Sequence, residues 1–132
     1  MRLYLDSAPV IYAVEQAPRF AAAVDARLSD PNLVLVASDL TRLECRVKPL
    51  RDGNAELVRD FDEFFDKTVA EVIGLTREVV DRATEIRAAY GFKVPDSLHL
   101  AAALFSGAEV FLTNDHRLDR FSDVLIESIA IE

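Results

Sequence analysis

The sequence carries Arg2-Leu3-Tyr4-Leu5-Asp6 near its start, and this stretch predicts a short buried strand that ends at an acidic residue. A second apolar run covers residues 33–37 and predicts a second buried strand. Between the two runs, apolar residues within 8–28 recur with the period of a helix, which is interrupted near Pro18. A strand, a helix and another strand in this order predict two parallel strands joined by a helical crossover.

The rest of the chain continues this alternation. Ser38 or Asp39 is placed to begin a helix that Pro49 should end, and Thr76 and Gly91 are placed to begin and end another. The elements predicted after residue 37 are helix 39–47, a long helix with the apolar stripe Leu57, Phe61, Phe64 and Phe65, strand 69–75, the helix after Thr76, helix 98–106, and strands 109–113 and 124–131. Together they predict an α/β fold, a three-layer α/β/α sandwich with a mostly parallel central sheet.

The composition indicates one ordered domain over residues 1–132. Its 51% hydrophobic fraction is enough for a single core without disulfides or a structural metal. The lone Cys45 cannot form an internal disulfide and fits a reducing compartment. No apolar run is long enough for a signal peptide or a membrane span, so we expect a cytoplasmic protein without membrane attachment. The formal charge of −8 argues against nonspecific nucleic-acid binding over the whole surface.

Four acidic residues lie at or close to the ends of the predicted elements: Asp6, Glu44, Asp96 and Asp115. Because parallel strands end at one shared edge of a sheet, where α/β proteins bind ligands, these acids predict a single site. Carboxylate oxygens suit a hard divalent cation, Mg²⁺ or Mn²⁺, better than zinc. Crowded carboxylates should also raise at least one pKa. Each acid alone also has a structural interpretation, as a helix cap, a partner of a helix dipole or a member of an ion pair.

Other polar residues near these acids have roles that stay open at this stage. His99 follows Asp96 by three residues and so shares its helix face, but its apolar neighbours favour a packed residue that supports the site over a metal ligand. Asp119 is either a fifth acid of the site or a solvated charge. The basic residues around Glu44 are either solvated helix charges or face a phosphate: Arg42, Arg46, Lys48 and Arg51.

Taken together, four short motifs resemble the PIN domain of VapC-type toxins. The motifs are Leu5-Asp6-Ser7, Leu40-Thr41-Arg42-Leu43-Glu44, Pro95-Asp96-Ser97-Leu98-His99-Leu100-Ala101 and Leu112-Thr113-Asn114-Asp115. Their order and the length of the chain also match that family.

The resemblance implies a Mg²⁺- or Mn²⁺-dependent endoribonuclease of a toxin–antitoxin system. It implies that Asp6, Glu44, Asp96 and Asp115 form the catalytic, metal-binding quartet, with Thr113 and Asn114 as polar neighbours. In that family, activated water attacks the phosphorus and the 3′ oxygen leaves, which gives a 5′-phosphate. The resemblance further implies an RNA substrate, a homodimer and a cognate antitoxin that covers the acidic groove.

Two other classes of function are alternatives to the nuclease. One is a catalytically silent PIN-like domain that uses the same groove to bind a protein or a nucleic acid. The other is a phosphoryl-transfer or receiver-type domain. The latter is disfavoured because Asp6-Ser7-Ala8 lacks a second acid and the third predicted strand ends near Gly74-Leu75, without an aspartate. The motifs do not encode the RNA target, the identity of the antitoxin or the number of metal ions.

Overall fold

The computed structural model of the chain describes residues 1–129. Within this range the elements are β1 (Arg2–Leu5), α1 (Ser7–Glu15), α2 (Ala21–Leu28), β2 (Val34–Ser38), α3 (Asp39–Arg51), α4 (Ala55–Lys67), β3 (Glu71–Ile73), α5 (Arg77–Tyr90), α6 (Val94–Phe105), β4 (Val110–Thr113), a 3₁₀ helix (His116–Arg120) and β5 (Leu125–Ser128). The predicted end of the last strand, Ile131, lies outside the described residues.

The strands form one sheet in the order β3-β2-β1-β4-β5, and every neighbouring pair is parallel. At its centre, Tyr4 of β1 pairs with Val36 of β2 on one side and Phe111 of β4 on the other. The chain first adds strands on the β2 side of β1 and then on the β4 side. In such sheets the reversal opens a crevice at the carboxyl ends of the two strands, here β1 and β4.

Helices cover both faces of the sheet, which confirms the predicted three layers. Successive side chains of a strand point to opposite faces. Accordingly, Leu3 and Leu5 belong to one buried cluster together with Phe61 of α4, whereas Tyr4 belongs to the other together with residues 100–103 of α6. Buried apolar side chains on both faces therefore fix the register of β1, and with it the position of Asp6 just beyond its end.

The helix that carries Glu44, α3, begins after Ser38 and ends at Arg51. Ser38 is the N-cap of α3, one of the two starting residues that the sequence predicted, and it forms a reciprocal capping box with Thr41. The predicted stop at Pro49 is wrong, because α3 continues to Arg51 with Pro49 buried in its last turns. Proline has no N–H to donate to the preceding turn, yet two more helical residues follow it, and the Asn54 N–H donates to the Pro49 carbonyl at 2.8 Å to close the turn.

The apolar stripe predicted on α4 belongs to the core. Phe61 and Phe65 are buried, and Leu57 and Phe64 pack against the same cluster. Within residues 1–129, no helix combines the length and the hydrophobicity needed to cross a membrane.

Candidate functional site

Asp6 lies at the crevice between β1 and β4. Its backbone N–H donates to the Leu112 carbonyl at 3.0 Å, which holds it against the end of β4. Its Oδ1 accepts the Ser7 N–H at 2.8 Å and caps α1, and its Oδ2 accepts the Thr113 hydroxyl at 2.8 Å. The capping interpretation of Asp6 is therefore correct, and it is compatible with a place in the site because the same contacts fix the carboxylate.

Glu44 reaches the crevice from α3, about two turns after the Ser38–Thr41 capping box. Its Oε1 accepts the Ser7 hydroxyl at 2.5 Å and lies 2.5 Å from His99 Nε2. Partial burial opposes ionisation of Glu44, but the hydrogen bonds from His99 and Ser7 outweigh it and lower the pKa of this carboxyl. Glu44 is consequently ionised and held in one orientation.

His99 is almost completely buried, with 2% of its surface exposed. Its Nδ1 lies 2.8 Å from the Tyr4 hydroxyl, whose own proton is donated to Ser38 Oγ at 2.7 Å, so Nδ1 is the donor to Tyr4. Its Nε2 faces Glu44 and, at 3.5 Å, Asp6 Oδ1. Burial opposes the charged ring, but the hydrogen bond with Glu44 and the surrounding carboxylates outweigh burial and raise the pKa of His99.

Asp96 and Asp115 flank this group. Asp96 lies in the first turn of α6, where burial and the negative charges of Asp6 and Asp115 raise its pKa. Asp115 follows β4 and caps the 3₁₀ helix. Both of its oxygens accept from the Arg117 guanidinium, with the shortest distance 2.7 Å, and this pairing lowers the pKa of Asp115.

The structure brings the predicted residues together unequally. Ligand atoms of Asp6, Glu44 and His99 lie within 4.8 Å of one another, and no other trio of potential metal ligands within residues 1–129 is as tight. Asp96 and Asp115 lie outside this trio, although the negative charges of Asp6 and Asp115 contribute to the raised pKa of Asp96. Of the open residues, His99 therefore lies inside the site, as its spacing from Asp96 allowed.

Three contacts of the site were not predicted. Ser7 binds Glu44, Tyr4 binds His99, and Arg117 neutralises Asp115. Tyr4 belongs to a strand whose pattern indicates only packing, and Ser7 has no feature beyond its place after Asp6. Arg117, two residues after Asp115, was the one contact that spacing in the sequence could have indicated.

Three of the remaining open residues lie beside partners outside the trio. Arg42 and Arg46 both approach Oδ1 of Asp62 on α4, at 3.6 and 2.8 Å, so these two cations connect α3 to α4. Asp119 lies 3.8 Å from His116 and is exposed. These contacts account for the two arginines as members of an ion-pair cluster between α3 and α4, and they place Asp119 on the surface beside His116.

The donor set fits a hard divalent cation. Asp6 and Glu44 supply carboxylate oxygens in the tight trio, and burial, together with the negative charges of Asp6 and Asp115, raises the pKa of the nearby Asp96. Both ring nitrogens of His99 are already engaged, by Tyr4 and Glu44, so the available donors are oxygens. Oxygen donors with excess negative charge are what Mg²⁺ and Mn²⁺ require.

Comparison with known proteins agrees with the architecture. A chain in the complex of VapBC2 from Rickettsia felis with a promoter DNA fragment is 17% identical, with a TM-score of 0.79 over 98% of this chain and 100% of that one. VapBC-1 from nontypeable Haemophilus influenzae gives 20% identity and a TM-score of 0.77 over 97% and 98% of the two chains. VapC20 of Mycobacterium tuberculosis, described as a sarcin–ricin loop cleaving toxin, gives 12% and 0.70 over 83% and 86%.

At these identities the solved structures establish the fold. A search of curated protein sequences gave no significant match. The sequence itself matches the PIN domain over residues 3–124, a range that includes all four predicted acids. The chain therefore belongs to the PIN domain family.

Proposed function

We propose that this protein is a metal-dependent endoribonuclease toxin that hydrolyses RNA phosphodiesters and is neutralised by a cognate antitoxin. The observation that carries the proposal is the close approach of Asp6, Glu44 and His99 at the β1–β4 crevice of a PIN fold, beside Asp96, whose pKa is raised by burial and by the charges of Asp6 and Asp115. Similarity to chains solved in toxin–antitoxin complexes, and to a toxin described as cleaving the sarcin–ricin loop, supports it.

In this proposal Asp6, Glu44, Asp96 and Asp115 hold Mg²⁺ or Mn²⁺. A divalent cation bound there would polarise the scissile phosphodiester, make water more acidic and stabilise the leaving oxygen. The protein's own contribution is to hold the acids before the substrate arrives. Thr113 and the Ser7 N–H orient the two oxygens of Asp6, while the Ser7 hydroxyl and His99 orient Glu44.

Arg117 supplies positive charge beside an acidic site in a chain of net charge −8. Its guanidinium binds Asp115 while 71% of its side chain remains exposed. We assign it the contact with an RNA phosphate near the cleaved bond, because guanidinium groups bind phosphate oxygens bidentately. Asp115 then has two alternative cationic partners, Arg117 and the metal.

The proposed biological unit is a homodimer of one domain per chain, acting on RNA in the cytoplasm and bound by its antitoxin when inactive. Analytical ultracentrifugation of the purified chain tests the dimer. Co-expression with a candidate antitoxin, followed by isolation of the complex, tests the partner.

The decisive experiment is cleavage of a mixed, end-labelled RNA pool by purified protein in Mg²⁺, Mn²⁺ or EDTA, after mass spectrometry has shown that no other protein copurifies. We expect metal-dependent cuts with wild-type protein and none with Asp96→Asn. The control is Asp119→Asn, which removes an exposed acid outside the trio and should cut like wild type. Absence of cutting by folded, antitoxin-free wild type in every condition would instead favour the silent binding domain.

A further inference from the structure

Three side chains from three elements form a continuous line of hydrogen bonds through the core to the candidate site. Tyr4 of β1 contacts His99 of α6, and His99 contacts Glu44 of α3. We propose that His99 is a positioning residue, which fixes the carboxylate of Glu44 for metal binding without binding the metal itself. This inference rests on the proposed metal-dependent function.

The inner end of the line is rigid. Tyr4 is fully buried, and its hydroxyl donates to Ser38 Oγ at 2.7 Å and lies 3.4 Å from Thr41 Oγ1. Ser38 and Thr41 form the capping box of α3, the helix that carries Glu44. The line therefore closes on itself: the start of α3 fixes Tyr4, Tyr4 fixes His99, and His99 fixes a side chain farther along α3.

At the outer end of the line, both hydrogen bonds to the Glu44 carboxylate go to the same oxygen. The Ser7 hydroxyl and His99 Nε2 both contact Oε1, each at 2.5 Å, and Oε2 accepts no hydrogen bond from any residue in the 1–129 range. A glutamate side chain loses rotamer entropy when it is fixed in one orientation. Because the Ser7 and His99 contacts already fix this side chain in the folded protein, a metal ion that binds Oε2 does not have to order it.

The same contacts exclude the ring as a ligand. An imidazole has two nitrogens, and here Nδ1 is bound to Tyr4 and Nε2 to Glu44. Direct coordination through Nε2 would break the contact that holds Glu44. Residues that orient metal ligands typically change metal affinity or activity by about 10–100-fold when they are replaced.

Two amide substitutions separate the two ends of the ring. In His99→Gln the amide nitrogen reaches the position of Nε2 and keeps a donor to Glu44. In His99→Asn the shorter amide reaches only the position of Nδ1, so the donor to Glu44 is lost. Tyr4→Phe keeps the stacking on Phe111, at 5.2 Å between ring centroids, and removes only the hydroxyl that holds Nδ1.

The experiment measures Mn²⁺ affinity of the metal-free full chain by electron paramagnetic resonance, together with kcat and KM for RNA. We expect His99→Asn to weaken Mn²⁺ binding by about tenfold or more and to lower kcat, with KM for RNA unchanged. His99→Gln should recover most of the affinity, and Tyr4→Phe should weaken it. Tyr90→Phe is the matched control, since its hydroxyl is exposed and lies 3.5 Å from Ser122, away from the line.

Three outcomes would overturn the proposal. Wild-type affinity in folded His99→Asn would refute a positioning role. Equal losses in His99→Gln and His99→Asn would show that the ring binds the ion directly. Wild-type protein that binds no Mn²⁺ and cuts no RNA would overturn the proposed function together with this inference. If His99→Asn does not fold, Tyr4→Phe carries the test, and unchanged Mn²⁺ affinity in that variant refutes the proposal.

Discussion

Replacing Asp6 distinguishes its structural role from its proposed catalytic role. One oxygen caps α1 through the Ser7 N–H, and the other accepts the Thr113 hydroxyl, both at 2.8 Å. Asp6→Ala removes both acceptors and the charge. Asp6→Asn removes the charge and one acceptor but keeps a carbonyl oxygen. The two variants should therefore be equally inactive and unequally stable.

The contacts set the size of the difference. Loss of a helix cap costs about 1 kcal/mol, and loss of the hydrogen bond to Thr113 costs about 1 kcal/mol. Asp6→Ala should thus lower the free energy of unfolding by about 2 kcal/mol and Asp6→Asn by about 1 kcal/mol. An unfolding entropy of about 2.1 cal/mol/K per residue over 132 residues converts these values to falls in Tm of about 7 and 4 °C. The charge of Asp6 attracts His99 and repels Asp96, so its two effects oppose each other.

Thermal unfolding in EDTA, followed by circular dichroism, measures the stabilities, and RNA cleavage in Mn²⁺ measures activity. Asp66→Ala, an exposed substitution on α4, controls for loss of an acid and should change stability by no more than about 0.5 kcal/mol. Equal Tm values for Asp6→Ala and wild type would refute the capping argument. Wild-type cleavage by Asp6→Asn would refute the catalytic one.

Three further predictions concern the core, a helix end and pH. Phe61→Ala should lower the free energy of unfolding by about 3–5 kcal/mol in a urea titration because Phe61 is fully buried, whereas Phe105→Ala, at a side chain 58% exposed, should cost no more than about 0.5 kcal/mol. Gly91→Ala should lower the free energy of unfolding by about 1 kcal/mol, because Gly91 ends α5 at φ +74°, a conformation that strains a residue with a Cβ. A Cβ at this position meets no heavy atom within 4 Å beyond its chain neighbours, so the cost comes from the backbone alone. Gly74→Ala is the control and should not destabilise the protein, since Gly74 has no positive φ. In EDTA, Asp96→Asn should raise stability at pH 7.5, and the gain should shrink towards pH 4.5. Burial and two neighbouring carboxylates raise the pKa of Asp96 in the folded state above its value in the unfolded state. At a pH above the folded-state pKa, ionised Asp96 therefore lowers the stability of the protein. At a pH below the unfolded-state pKa, Asp96 is protonated in both states and has no such effect. A gain that is the same at both pH values would contradict the assigned repulsion.

Much of the fold was predictable because its signals are local. Alternation in β1, the helix start at Ser38 and the glycine that ends α5 each act over a few neighbouring residues, and the structure confirms all three. The Pro49 prediction was wrong because the local rule counts only what proline costs a helix, whereas in the structure Pro49 is buried inside α3 and two more helical residues follow it, to Arg51.

The order of the apolar runs and the acids that follow them are properties of the sequence alone, and they were enough to predict a mostly parallel α/β sheet with acids at one edge. Only the tertiary structure decided which polar groups meet. Glu44 and His99 are 55 positions apart, and Asp6 and Thr113 are 107 apart. Hydrophobic periodicity specifies local elements, whereas these contacts depend on strand order and on how three helices pack around one crevice. For that reason the acids could be predicted from the sequence, but the line from Tyr4 through His99 to Glu44 could not.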